Sequence, residues 1–166
     1  MACPTISVID GPAMGGGLEL AMCSDIRIAT RQAIMSLPET SLAIFPGAGG
    51  TQRLPRLIGS AKAKELIFTC DRLNADEAQA LGLVNHAADD FEAAMQKAHE
   101  IAEKISRNGP IAVKAAKQAI NFGMQMDLRS ALELEEACYS KTLGTQDRVE
   151  GLKAFAEKRK PVYKGI

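Results

Sequence analysis

Residues 5–25 read TISVIDGPAMGGGLELAMCSD, with three consecutive glycines between two ordered segments. The β-branched run at 5–10 ends at a Gly-Pro pair, which is typical of a short buried strand. Residues 15–22 lead from the glycines into a helix that carries Glu19 in its first turn. Unpaired N–H groups at a helix N-terminus, approached closely past glycine, can stabilise a developing oxyanion. A tight strand-to-helix turn without a ligand explains the segment equally well.

The pattern of strands and helices continues downstream of this segment. Further strands are predicted at 25–30, 33–37 and 83–86, and helices at 52–58, 61–69 and 75–81. Apolar residues at helical spacing predict four more helices, at 91–105, from Pro110, from Leu128, and around 149–155. We therefore predict an α/β core over 1–109 and a helical region over 110–166.

A second glycine-rich turn lies at 46–51, and it excludes two nucleotide-binding motifs. No lysine follows either glycine cluster as a phosphate-binding loop requires. Gln52 occupies the last glycine position of a dinucleotide fingerprint that would begin at Gly47. Kinase and dehydrogenase chemistry are therefore not supported.

Two carboxylates stand next to these glycine clusters. Glu19 follows the first cluster, and Glu39 follows a predicted strand just before the second. An isolated glutamate is usually a solvated surface charge. Paired carboxylates beside a site for an oxyanion can instead share general acid and base catalysis.

Composition narrows the class of protein. The chain has 166 residues, 46% hydrophobic and 24% charged, with 20 basic and 20 acidic side chains. The hydrophobic content excludes a disordered chain. The balanced charge disfavours binding to nucleic acid or anionic membranes by charge alone. We expect neither a membrane span nor a secretory signal. The scattered cysteines predict no metal site, and we interpret them as reduced, mostly buried residues of an intracellular protein: Cys3, Cys23, Cys70 and Cys138. Catalysis by a Cys–His pair is disfavoured on the same pattern.

Several motifs together resemble the enoyl-CoA hydratase/isomerase (crotonase) superfamily. They are ISVIDG at 6–11, GGG at 15–17 with Glu19, PE at 38–39, FPGAGGTQRLPR at 45–56, AKEL at 63–66, GLV at 82–84, and Phe155 with Lys158-Arg159. The resemblance covers essentially the whole chain. It is strongest to the methylglutaconyl-CoA hydratase branch, which is also described as binding AU-rich RNA. The implied fold is an α/β spiral of ββα units followed by helices that form oligomers.

The resemblance implies enoyl-CoA hydratase activity, a lyase reaction. Glu19 would position and activate the water that adds to the β carbon, and Glu39 would supply the proton to the α carbon. Gly16 would donate an N–H to the thioester oxygen. Further residues implied in oxyanion or substrate binding are Gly15, Gly17, Pro38, Phe155 and Lys158. Coenzyme A would enter as part of the substrate, with no covalently bound cofactor and no metal.

The resemblance also has departures and alternatives. Family members carry a long N-terminal part before the first motif, so we expect these 166 residues to match the C-terminal part and to hydrate substrate weakly alone. Ala43 stands where many members have glycine, a change of minor expected effect. An isomerase, or an inactive crotonase-fold binding or RNA-associated protein, remains the alternative. Isomerases commonly keep only one of the two acids, which favours hydration here.

The expected substrate and partners follow from the same resemblance. The substrate would be 3-methylglutaconyl-CoA in leucine breakdown or an enoyl-CoA of fatty-acid β-oxidation. The chain would form a homotrimer or a dimer of trimers, without a membrane and with RNA binding disfavoured. The compartment would be the mitochondrial matrix in a eukaryote and otherwise the cytoplasm.

Overall fold

The computed structural model describes all 166 residues, which divide into two compact units. We call Thr5–Glu100 the sheet unit, and Met1–Pro4 with Ile101–Ile166 the helical unit. No helix is both long and apolar enough to cross a membrane.

The sheet unit begins with two consecutive strand–strand–helix repeats. The first repeat comprises β1 (Ile6–Ile9), β2 (Pro12–Met14) and α1 (Gly16–Ala21). The second comprises β3 (Ile26–Thr30), β4 (Ile34–Ser36), a 3-10 turn (Glu39–Leu42) and α2 (Gly50–Ile58). The remaining elements are α3 (Ser60–Thr69), α4 (Ala75–Ala80), β5 (His86–Ala88) and the start of α5 (Phe91–Ser106).

Corresponding strands of the two repeats pair with each other. One parallel sheet has the order β1-β3-β5, and a second joins β2 to β4 in parallel. Each repeat therefore stacks on the one before it, which confirms the predicted spiral of ββα units. Side chains of strands and helices fill the core between them, including Ile9, Leu18, Met35, Leu54 and Leu66.

β3 contains a buried arginine whose hydrogen bonds tie the strand to its neighbours. Arg27 is 5% exposed, and its side chain donates to the carbonyl oxygens of Leu83 at 2.7 Å and Ser24 at 2.6 Å. Burial lowers the pKa of Arg27, and the nearby charge of Asp25 opposes that shift. The buried donors are thus paired as an apolar interior requires.

The helical unit continues α5 and adds three more helices. They are α6 (Pro110–Gly123), α7 (Leu128–Leu143) and α8 (Gln146–Ala156), in agreement with the apolar periodicity. Its buried hydrophobic side chains are only Ala115, Cys138 and Ala154. Many large apolar side chains of this unit are exposed, among them Ile120, Met124, Leu128, Leu152 and Phe155.

The prediction of mostly buried cysteines is wrong. Cys138 is buried and Cys70 is half-buried, but Cys3 and Cys23 are exposed, and all four are free thiols. Cys3 precedes the first strand, and Cys23 lies in the turn where the chain leaves α1. The apolar character of cysteine favoured burial, but it does not show whether a given position lies in the core.

Candidate active site

The triple glycine forms the entry to α1. Gly15 precedes the helix with φ 55°, a left-handed value that glycine adopts without strain, and its N–H donates to the Ser36 carbonyl at 3.0 Å. Gly16 and Gly17 begin the helix, so their N–H groups have no acceptor within it. Both residues are exposed, and the space a Cβ would enter at either is empty within 4 Å. An oxygen atom of a ligand can therefore approach these N–H groups closely.

Glu19 is a buried carboxylate held by two backbone N–H groups. Its side chain is 4% exposed, and Oε1 accepts from Ala48 N at 2.9 Å and from Gly50 N at 2.7 Å. Gly50 is the first residue of α2, so the carboxylate lies at the positive end of that helix. Oε2 accepts no hydrogen bond from the chain, which leaves that oxygen available to water.

The loop that binds Glu19, residues 46–50, is held by a side chain and by close packing. Arg53 donates from Nη1 to the Ala48 carbonyl at 2.7 Å. A Cβ on Gly50 would come within 2.9 Å of Glu19 Oε1 and 2.8 Å of the Pro46 Cβ. Only glycine at position 50 lets the backbone approach the carboxylate this closely.

Glu39 is the first residue of the 3-10 turn and directly follows Pro38, the residue that caps the turn. Its Oε1 lies 3.0 Å from the point where a Cβ on Gly15 would be. Its Oε2 is buried and has no hydrogen-bond partner in the chain. A buried carboxylate oxygen without a donor is unfavourable, and such exceptions cluster at functional sites. The arrangement therefore suits proton exchange with a bound molecule.

Parallel pairing of β2 with β4 brings Gly15 and Glu39 to the same edge of this two-stranded sheet. Met14 is in register with Ser36, so the residues that follow the two strands emerge side by side. Gly15 follows β2 and Glu39 follows β4, and Glu39 Oε1 lies 3.0 Å from the position that a Cβ on Gly15 would occupy. Ligands in parallel α/β proteins commonly bind beyond the carboxyl ends of the strands.

The other candidate residues lie in the helical unit. Phe155 is on α8 and is 86% exposed. Lys158 follows α8 with φ 54° and forms no ion pair, whereas its neighbour Arg159 pairs with Glu150 at 2.6 Å and Glu157 at 2.7 Å. An exposed aromatic ring and an unpaired cation are both free to contact a ligand.

Sequence reasoning missed the backbone partners of Glu19. Ala48 and Gly50 are 29 and 31 residues away along the chain. The glycine-rich turn at 46–51 was the available signal, because glycine there permits the close approach of a carboxylate to a helix N-terminus.

Comparisons with known proteins identify the family of the chain. The family model described as enoyl-CoA hydratase/isomerase matches residues 1–166. The chain is 55% identical over 165 residues to the mitochondrial methylglutaconyl-CoA hydratase of Rattus norvegicus, covering 98% of the chain and 52% of the relative. It is 52% identical over 165 residues to the mitochondrial enoyl-CoA hydratase domain-containing protein 2 of Mus musculus, covering 98% of the chain and 56% of the relative.

A solved structure gives the same result for the fold. The crystal structure of enoyl-CoA hydratase from Bacillus anthracis superposes with a TM-score of 0.96 at 53% identity, covering 99% of this chain and 64% of that one. The chain thus spans little more than half the length of the curated relatives named above. Its full-length match to the family model and its shared fold nevertheless lead to one conclusion: the chain belongs to the enoyl-CoA hydratase/isomerase (crotonase) family.

Proposed function

We propose that this protein is an enoyl-CoA hydratase, a lyase that adds water across the 2,3 double bond of an acyl-CoA thioester. The observation that carries the proposal is two carboxylates near an accessible helix N-terminus: Glu19 is buried on α1, and Glu39 has a buried oxygen without a donor and lies near Gly15. Relatives that bear the name enoyl-CoA hydratase or methylglutaconyl-CoA hydratase support it.

The two carboxylates differ in environment, and we assign them different steps. Glu19 has one oxygen bound by two N–H groups, so its free oxygen can orient a water molecule and accept its proton as the oxygen bonds to the β carbon. Glu39 has a buried oxygen without a donor, which suits a carboxyl that delivers a proton to the α carbon. Return of a proton from Glu19 to Glu39 through solvent restores both carboxyls, so the net change is one water added, with OH on the β carbon and H on the α carbon.

Negative charge develops on the thioester oxygen during this addition. The Gly16 N–H would donate to that oxygen, and Gly15 and Gly17 leave the approach open because neither carries a side chain. A donor placed in advance costs no reorganisation during the reaction, and one such donor is typically worth about 3 kcal/mol of transition-state stabilisation.

Three further residues complete the proposed substrate contacts. Pro38 fixes the backbone immediately before Glu39. Phe155 and Lys158 are exposed, and we propose that they contact the coenzyme A part of the substrate, with the ammonium group facing a phosphate. Coenzyme A enters as part of the substrate, and the proposed reaction needs no separate cofactor.

The proposed substrate class follows the relatives' names. We propose 3-methylglutaconyl-CoA in leucine breakdown, or an enoyl-CoA of fatty-acid β-oxidation, as the substrate. Curated relatives from rat and mouse are named as mitochondrial, so the mitochondrial matrix is the proposed compartment in a eukaryote and the cytoplasm in a bacterium. An isomerase is less favoured because both carboxylates are present.

Substitution of Glu39 tests the proposed chemistry. Glu39→Gln retains the side-chain shape but removes the proton donor, so we expect kcat to fall at least about 100-fold with little change in coenzyme A binding. Loss of the enoyl-thioester absorbance of crotonyl-CoA or 3-methylglutaconyl-CoA, followed with the protein in excess over substrate, measures the rate. Glu65→Gln is the matched control, because Glu65 lies on α3 in an exposed ion pair with Lys62 at 2.9 Å. Equal rates for both variants would refute the role of Glu39.

We also propose that residues 1–109 form the core and residues 110–166 an oligomerisation region, and that the chain assembles as a homotrimer or a dimer of trimers. The few buried apolar side chains of the helical unit, set against its many exposed ones, support this. Light scattering at micromolar concentration tests the proposal, and a monodisperse monomer would refute it.

A further inference from the structure

The turn that carries Glu39 is too short to hold its own position. It comprises four residues, Glu39–Leu42, and its backbone hydrogen bonds are local. Ile44 N donates to the Glu39 carbonyl at 3.2 Å, and Ser41 N donates to the Pro38 carbonyl at 3.1 Å. A single turn is unstable in isolation, because few bonds offset the ordering of its backbone. The location of Glu39 therefore depends on contacts with the rest of the fold.

Thr40 supplies a side-chain contact of this kind. Its hydroxyl donates to the Ile67 carbonyl at 2.6 Å, across 27 residues of chain. Ile67 lies in the last turn of α3, where carbonyl groups lack partners within the helix. Thr40 thus satisfies an unpaired helix carbonyl and joins the turn to α3 in one bond.

Cys70 completes the contact from the other side. Its Sγ lies 3.0 Å from Thr40 Oγ1. The Cys70 Sγ also lies 3.9 Å from the Ile67 carbonyl oxygen, so the thiol contacts both ends of the Thr40–Ile67 hydrogen bond. Cys70 has φ 59°, a left-handed conformation that is unfavourable for a residue with a Cβ. A strained backbone position held by its surroundings is a reason to look for a function.

We propose that Thr40 is a positioning residue for Glu39, held by Ile67 and by the Cys70 thiol. The proposal rests on the catalytic role proposed for Glu39. The Thr40 hydroxyl, at the next position in the chain, fixes the turn so that the Glu39 carboxyl stays against Gly15. Small displacements of a catalytic group reduce turnover strongly, whereas substrate binding elsewhere is retained.

The experiment compares three variants by two measurements. Hydrogen exchange of the Ile44 amide reports on the order of the turn, because this amide donates to the Glu39 carbonyl. Steady-state kinetics give kcat and KM for hydration. Thr40→Val removes the hydroxyl with little change in volume, and Thr40→Ser retains it. Thr69→Val is the matched control, because the Thr69 hydroxyl donates to the Glu65 carbonyl within α3 and not to the turn. For Thr40→Val we expect about tenfold faster exchange at Ile44 and a kcat reduced about tenfold or more at nearly constant KM. Thr40→Ser should lie within about twofold of wild type in both measurements, and so should Thr69→Val.

Cys70→Gly provides a second measurement that does not depend on the folding of Thr40→Val. Glycine favours the left-handed backbone, so global stability should not fall, while loss of the thiol should raise exchange at Ile44 about threefold. Unchanged exchange in both Thr40→Val and Cys70→Gly overturns the proposal, as does a Thr40→Ser variant that behaves like Thr40→Val.

If Glu39→Gln abolishes hydration but Thr40→Val leaves kcat unchanged, the positioning role is refuted and the proposed function stands. If Glu39→Gln leaves hydration unchanged, the proposed function fails, and the positioning role fails with it. If the wild-type chain shows no turnover, the exchange results alone decide.

Discussion

Gly50→Ala should destabilise the protein because the added methyl group has no room. An ideal Cβ at this position lies 2.8 Å from the Pro46 Cβ, 2.9 Å from Glu19 Oε1 and 3.0 Å from the Leu37 Cδ1. Two of these neighbours are core atoms that cannot rotate away freely, and the third is the carboxylate that accepts the Gly50 N–H. Relief of the clash must therefore displace the loop, the carboxylate or both.

The size of the effect follows from three contributions. Overpacking of a core costs about 1–3 kcal/mol. A weakened hydrogen bond to a charged group costs about 1.5–3 kcal/mol. The higher helix propensity of alanine offsets up to about 1 kcal/mol. We expect the free energy of unfolding to fall by about 3 kcal/mol in Gly50→Ala.

Urea unfolding followed by far-ultraviolet circular dichroism measures this difference. With a typical slope of about 1–3 kcal/mol per molar urea, the midpoint should fall by about 1–3 M. Gly17→Ala is the matched control, because a Cβ there meets nothing within 4 Å, and its midpoint should stay equal to wild type or rise slightly. A Gly50→Ala midpoint equal to that of wild type would show that the loop yields freely, and would refute the argument.

Two more predictions concern the end of the chain. Hydrogen bonds from Arg159 hold the pKa of Glu150 at about 2, below its ordinary 4.5, so this contact stabilises fully above pH 4.5 and is lost as pH falls toward 2. Compared at the same pH, pepsin should cleave the terminal segment of wild type more slowly than that of Glu150→Gln at pH 4.5, and the two rates should converge as pH falls toward 2. Asp147, which is 5% exposed, accepts from Lys164 N at 2.7 Å and Gly165 N at 2.8 Å. Asp147→Ala should therefore lower the free energy of unfolding by about 2 kcal/mol, measured by urea unfolding.

The helices and most strands were predictable from the sequence, but one short strand and the place of the last strand were not. All eight helices were anticipated from apolar spacing and glycine or proline boundaries, whereas the three-residue strand β2 was missed. It begins at Pro12 within a segment that favours a turn, and its pairing with β4 is a tertiary interaction. The last strand was predicted at 83–86 but lies at His86–Ala88. Leu83 and Val84 are buried in the turn after α4 instead, where both N–H groups donate to the Ala78 carbonyl.

The candidate site was predictable as a set of residues but not as a geometry. The glycines at 15–17 and the two glutamates were identified by their neighbours in sequence. That Glu19 is bound by the N-terminus of α2 could not be foreseen, because it depends on how the second repeat stacks on the first. Ala43 adopts φ 58° at the end of the 3-10 turn, a left-handed value that glycine adopts with less strain than alanine.

The order of strands in the larger sheet has a consequence for synthesis on the ribosome. β1 meets β3 across 20 residues, since Ile6 pairs with Ile26, but β3 meets β5 across 58, since Ile28 pairs with His86. At about 5–20 residues per second, several seconds separate the emergence of β3 from that of its second neighbour. During that interval one edge of β3 has no partner, and an unpaired edge is a template for association with other chains. We expect nascent chains whose emerged part ends before residue 86 to bind holding chaperones, and chains whose emerged part extends beyond residue 100 to be released.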